Sequence, residues 1–178
     1  DMDFTTLITA MNGGKADFIL AGMTPDEERL KNADFSDIYF TAKHLVVSKK
    51  ESGINSIADL EGKKIGVQTG SIQEDVAGII EEQVNVTVET RNRIPELIQE
   101  ILAGRFDGAI IEDTVAAGHF NNNPDLVGFE VEEAGEGGSA IAFPKNSELT
   151  EDFNRVLNEM KENGELDKLI IKWFGGEE

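Results

Sequence analysis

Cysteine is absent from the 178 residues, and histidine nearly so, with only His44 and His119. The first absence excludes disulfide scaffolds, cysteine nucleophiles and thiolate metal centres. It leaves the compartment open, because a chain without thiols suits an oxidising exterior and a cytosol alike. Two isolated histidines exclude a histidine-rich metal site. Basic residues are also scarce: 16 against 35 acidic ones, for a formal net charge of −19. Such a surface is not built to grip nucleic-acid phosphates or anionic lipid. No apolar run approaches the ~20 residues needed to cross a bilayer, and no signal-peptide pattern opens the chain at Asp1.

What is present is globular in balance, with 39% apolar and 29% charged residues. The length suits one ordinary domain or two small lobes. The strongest organisational signal is an internal repeat. Leu7-Ile8, five residues, Gly14, Lys15, one residue and Asp17 recur, without a gap, as Leu97-Ile98, five residues, Gly104, Arg105, one residue and Asp107. Leu7, Ile8 and Met11 share one helical face, as do Leu97, Ile98 and Ile101. Gly14 and Gly104 are natural helix stops, each followed by a basic residue near the negative helix pole. A short apolar run follows each aspartate, Phe18 to Ala21 and Gly108 to Ile111, and runs of that length suit buried parallel strands. Each copy then reads helix, glycine, strand, polar loop. That pattern fits either two similar α/β lobes or a chance likeness between two common αβ units.

The remaining chain keeps the alternation. Lys64 to Gln68 reads as a strand, Glu74 to Gln83 as a helix, and Val84 to Glu89 and Val127 to Val131 as strands. Ala42 to Ser48 and Ser139 to Phe143 are longer extended runs bracketing this middle section. Glu151 to Met160 and Leu166 to Phe174 close the chain as amphipathic helices. The expected organisation is an α/β protein of two lobes with two hinge strands. Lobe 1 is made of 1–46 and 140–178, and lobe 2 of 47–139. Two crossings would let such lobes open and close on a ligand. Lobe 1 is thin, with one interior strand before the first crossing, and is expected to lack an N-terminal piece or to receive one from a second chain.

Ligands of open α/β sheets bind beyond the carboxyl ends of strands. Gly22 and Glu112 occupy equivalent positions of the repeat at such ends, one per lobe, and are expected to share a cleft. Gly22, next to Ala21, allows close backbone approach. In the loop that follows, Thr24 offers a hydroxyl and an amide, and Asp26 can cap a short turn. Arg29 presents either a bidentate fork for a carboxylate or a surface ion pair with Asp26 or Glu27. The loop Gln68-Thr69-Gly70-Ser71-Ile72-Gln73 joins a strand to a helix. Gly70 makes the turn and Ser71 is placed to cap, leaving free amides at Ser71 and Ile72 either for an anion or merely at a capped helix start. Nothing there matches a phosphate-binding glycine loop. Either Glu112 or its neighbour Asp113 is the inward acid. A guanidinium with helix-start donors, plus an acid and a hydroxyl, suits both poles of an α-amino acid.

The stretch Asp17-Phe18-Ile19-Leu20-Ala21-Gly22-Met23-Thr24, with Glu28-Arg29 and Phe35-Ser36-Asp37-Ile38-Tyr39, resembles the bacterial extracellular solute-binding proteins of family 3, the polar amino-acid receptors of ABC importers. Asp59 to Ser71, Gly104-Arg105-Phe106-Asp107 and the ending from Asn163-Gly164 to Trp173-Phe174-Gly175 extend the resemblance over the whole chain. It implies a type II periplasmic-binding-protein fold, a Venus flytrap, with lobe 1 incomplete: relatives begin with a strand, a helix and a second strand before the position of Asp1. It also implies no catalysis and no cofactor, export to the periplasm or to the cell surface as a lipoprotein, and delivery of a free L-amino acid to a membrane permease.

Carried over by position, Arg29 clamps the ligand α-carboxylate with amides of Thr24 and Ile72. The Gly22 carbonyl, the Thr24 hydroxyl and Glu112 hold the ammonium, and Gln68 and Gln73 lie towards the ligand side chain. Relatives mostly carry Asp where Glu112 stands, threonine where Asp26 stands and a hydroxyl residue where Ile72 stands. The −19 charge favours an arginine-like ligand, although solubility explains acidity as well. The alternatives are a dehydratase on the same fold, or the ligand-sensing domain of a receptor or regulator.

Overall fold

The computed structural model describes residues 2–174, so Gly175 of the closing motif lies outside the described residues. In chain order the main elements are α1 (Leu7–Asn12), β1 (Ile19–Met23), α2 (Arg29–Asn32), β2 (Asp34–Phe35), β3 (Phe40–Lys49), β4 (Lys64–Gln68), α3 (Gln73–Glu81), β5 (Thr87–Arg91), α4 (Ile94–Leu102), β6 (Gly108–Glu112), α5 (Asp113–Asn122), β7 (Leu126–Glu130), β8 (Glu136–Phe143), α6 (Leu149–Glu162) and α7 (Glu165–Phe174). They divide into two compact units. The middle unit is Lys43–Glu136 with Asp3–Thr5, and the flanking unit is Thr6–Ala42 with Met2 and the residues from Gly137 on.

In the middle unit, β4 lies between β5 and β6 and is parallel to both. The part of β3 from His44 to Lys49 runs antiparallel to β6 on one side and to β7 on the other. Period-2 alternation sends neighbouring apolar residues to opposite faces. Val46, Ile65, Val67 and Ile110 pack with Val76, Ala77 and Ile80 of α3. Val47, Ala109 and Ile111 pack with Leu97, Ile98 and Ile101 of α4 and Ala116 of α5. Both faces are covered, which is why these strands read as nearly continuous apolar runs. Gly66 is a space requirement: a Cβ there would stand 2.5 Å from the Phe106 ring and 2.6 Å from Leu97 Cδ2.

The flanking unit has a smaller sheet, with β8 between β1 and β2 and antiparallel to both. Its core is Ile141, Phe143 and Leu157 with Tyr39 and Phe153 against them. The Phe18, Phe143 and Phe153 rings stack at 5.1–6.2 Å. The Asp34 carboxylate holds the turn after β8, accepting from Asn146 N at 2.6 Å and from Lys145 Nζ.

The expectation of a buried parallel strand after each repeat glycine holds for β6 and fails for β1. Among the described residues β1 pairs only with β8, antiparallel, and its Leu20 is 61% exposed. The physical reason is the missing neighbour: β6 has β4 as a parallel partner and helices over both faces, whereas no described element covers Leu20. The helix ends of the repeat do match. Lys15 N donates to Ala10 O and Gly14 N to Met11 O, and Arg105 N donates to Glu100 O and Gly104 N to Ile101 O, all at 2.9–3.0 Å. Gly14 and Gly104, with φ of 75° and 72°, both close a left-handed helix cap. The two aspartates differ: Asp107 Oδ2 accepts the amide of Lys64 and so fixes the start of β4, while Asp17 is exposed.

Candidate functional site

In the flanking unit the candidate residues follow β1. Ala21 is exposed, and Gly22 is half-buried with φ of 61°, a left-handed conformation that disfavours side chains. Gly22 is the fourth of five residues in β1, one step earlier than Glu112 in β6. The chain then turns through Thr24 and Asp26 into the single turn α2. Asp26 caps that turn, its Oδ1 accepting the Arg29 amide at 2.7 Å. Its Oδ2 lies 3.2 Å from Arg29 Nε, and Arg29 Nη1 donates to the Thr24 carbonyl at 2.6 Å. The arginine side chain is only 12% exposed. Of the two readings of Arg29, the structure thus contains the ion pair with Asp26.

In the middle unit the β4–α3 loop corrects one expectation. Ser71 does not cap α3; its hydroxyl donates back to the Gln68 carbonyl at 2.7 Å, and its amide donates to the same oxygen at 3.2 Å. The turn closes on itself, so the Ser71 amide is not a free donor. The Ile72 amide has no acceptor recorded among the described residues. Gly70 has φ of 70°, and a Cβ there would meet Thr5 Cγ2 at 2.6 Å, so the loop needs glycine for both reasons. Gln68 Nε2 donates to the Asn92 carbonyl at 3.0 Å, which ties the loop to the end of β5.

Glu112 ends β6 and stands directly across from His44 of β3. Burial pushes its carboxyl up to about 7; the Asp113 charge adds to this, and a hydrogen bond from Gln73 opposes it. Asp113 is the first residue of α5. Its Oδ1 accepts the amides of Thr114 at 2.8 Å and Lys43 at 3.3 Å. Glu112 is thus the acid with unspent capacity, and Asp113 the one engaged with backbone.

Sequence reasoning missed His44. It is 2% exposed, its Nδ1 lies 3.2 Å from Gln73 Nε2, and burial holds its pKa below the ordinary 6.5 despite the opposing pull of Asp113. Its signal was an imidazole in phase with Val46 on the core face of β3, a place where a polar group needs a partner.

The chain belongs to the bacterial extracellular solute-binding proteins, family 3, whose family model matches residues 1–176. It is 56% identical, over 99% of its own length and 70% of the relative's, to the arginine-binding extracellular protein ArtP of Bacillus subtilis. Among solved structures, it is similar to the amino-acid ABC transporter substrate-binding protein AbpA of Streptococcus pneumoniae bound to L-arginine, with a TM-score of 0.87 and 36% identity over 97% of this chain and 74% of that one. An ancestral amino-acid-binding protein described as a precursor of cyclohexadienyl dehydratase matches with a TM-score of 0.83 and 31% identity, over 97% and 75% of the two chains. The fold is therefore the α/β periplasmic amino-acid-binding type, with a partial flanking lobe.

Proposed function

We propose that this chain binds a free L-amino acid, with an arginine-like ligand favoured, and hands it to the permease of an ABC importer outside the cytoplasm. The observation that carries the reading is a pair of complementary groups, one per unit. Arg29 is an aimed, largely desolvated guanidinium, suited to a carboxylate that accepts two parallel hydrogen bonds. Glu112 is a half-buried carboxyl that holds its proton up to about 7 and is relieved by a cation. In this reading Arg29, with amides at Thr24 and Ile72, takes the α-carboxylate. Glu112, Thr24 and the Gly22 carbonyl take the ammonium. Ala21, Gly70 and Ser71 shape the walls, Gln68 and Gln73 lie towards the ligand side chain, and the Asp113 charge at the start of α5 helps to keep the Glu112 proton in place until a cation arrives.

The names of the relatives support an arginine-like ligand, and the net charge of −19 favours a cationic one. The relatives named above are binding proteins, and the reading requires no turnover. The test is calorimetric titration of the full-length gene product with L-arginine and the other common amino acids. Arg29→Ala is expected to abolish binding; unchanged affinity in that variant removes the assignment.

A further inference from the structure

β3 serves both units: Phe40 to Ala42 group with the flanking unit and Lys43 to Lys49 with the middle one, so the chain changes unit at the Ala42–Lys43 step. From His44 to Ser48 the strand is laddered to β6, with His44 opposite Glu112. One step further the ladder would set Lys43 opposite residue 113. In an antiparallel pair, the amide and carbonyl of one residue face one neighbouring strand and those of the next residue face the other. The His44 carbonyl accepts Val131 N at 2.9 Å, on the β7 side, so the Lys43 amide faces β6. There β6 has ended, because the backbone at Asp113 turns into α5. The Asp113 side chain takes over. Its Oδ1 accepts the Lys43 amide at 3.3 Å and the Thr114 amide at 2.8 Å, the second bond fixing it to the helix start. On the other flank the Lys43 ammonium pairs with Glu130 of β7 at 2.8 Å. Acids from both sides thus grip the residue at which the middle unit begins.

We propose that Asp113 is a positioning residue, the hinge pin of the site: its carboxylate prolongs the β3–β6 ladder by one rung to Lys43 and so sets the pivot of opening and closing at the Ala42–Lys43 step. It rests on the reading that the two units open and close on a ligand whose ammonium reaches Glu112. Glu112 directly precedes Asp113, so the acid that receives the ligand and the acid that sets the pivot move as one body with the start of α5. Without the pin the last rung is lost and β3 is free to fray back to His44. The unliganded protein then samples a wider range of openings, and closing on a ligand costs more conformational entropy.

The charge of Asp113 acts separately from its hydrogen bond, because it opposes ionisation of the neighbouring Glu112. Two substitutions part the roles. Asp113→Asn keeps an oxygen acceptor at the Oδ1 position and loses the charge, whereas Asp113→Ala loses both. Whatever the two variants share is electrostatic, and whatever alanine alone does belongs to the pin. At pH 8, above the Glu112 pKa of about 7, that carboxyl is mostly ionised in all three proteins, which keeps its protonation out of the comparison.

The test compares the full-length gene product with its Asp113→Asn and Asp113→Ala variants at pH 8. These 178 residues hold no cysteine, so spin labels at Glu82→Cys and Glu151→Cys, both exposed and one per unit, report the separation of the units once any thiol elsewhere is replaced by serine. Without ligand, the label–label distance distribution should be the same for native and Asn and broader for Ala. Hydrogen exchange of the Lys43 amide should be about fivefold faster in Ala than in native or Asn, and L-arginine should bind Ala about fivefold more weakly than Asn. An Ala distribution as narrow as native, or an Asn distribution as broad as Ala, overturns the proposal. So does a Lys43 amide that exchanges in the native protein as fast as in an unstructured chain. If Ala fails to fold, Lys43 exchange in native and Asn decides: retained protection in Asn supports the pin, and its loss overturns it. Should no preparation bind any amino acid, the functional reading falls, while the distances and the exchange rates still judge the pin.

Discussion

Replacing Glu112 by glutamine should stabilise the unliganded protein while destroying its function, and the gain should depend on pH. Glu112 has a folded-state pKa of about 7 against an ordinary 4.5, so the folded state binds this proton more tightly than the unfolded chain. Below 4.5 both states carry it and the group is neutral in the balance. As pH rises to 7 the unfolded chain has released its proton while the fold retains it, so stability falls across that window. Moving an acid from 4.5 to about 7 costs the fold on the order of 3 kcal/mol once pH exceeds 7. The side chain is only partly screened from water, so the measured figure should lie between about 1 and 3 kcal/mol. Glutamine is close in shape, accepts from Gln73 and cannot ionise. Urea unfolding of the native chain and Glu112→Gln, followed by far-UV circular dichroism, should give equal stabilities near pH 4.5 and a gap favouring the variant at pH 8. A gap that does not change with pH refutes the reasoning, as does a variant less stable than native at pH 8.

Two further outcomes rest on the same structure. At pH 7 the free protein holds about half a proton on Glu112, and an ammonium ligand should expel it; calorimetry in two buffers of different ionisation enthalpy should show release of about half a proton per ligand. Gly66→Ala places a methyl group 2.5–2.6 Å from buried Phe106 and Leu97 side chains and should cost about 1–3 kcal/mol, with no loss greater than that in ligand affinity measured on the folded fraction.

Elements with local causes were legible in the sequence. β4 spans Lys64–Gln68 as its apolar run indicates, and both repeat helices end at the glycines that close their caps. β5 was misplaced. Val84 and Val86 head its apolar run, but Val84 N still donates to Ile80 O at 3.0 Å and Val86 is buried beside α3, so the strand starts at Thr87. The direction of β1 depends on which strand arrives beside it, and β8 lies more than a hundred residues further on. At the candidate site, Asp26 three residues before Arg29 announced the cap, a local matter. Ser71 turned its hydroxyl to Gln68 because a tight turn offered a nearer acceptor than the helix start. The contact of His44 with Gln73 spans 29 positions and exists only once β3 and α3 are packed on one face.

The single tryptophan and the single tyrosine, Trp173 and Tyr39, both belong to the flanking unit, and the indole is 70% exposed beneath the Lys172 ammonium. Intrinsic fluorescence of this chain is therefore a signal from one half alone. Emission should resemble that of a water-exposed indole before any denaturant is added, and melting of the Glu112 half would pass unseen by the fluorimeter.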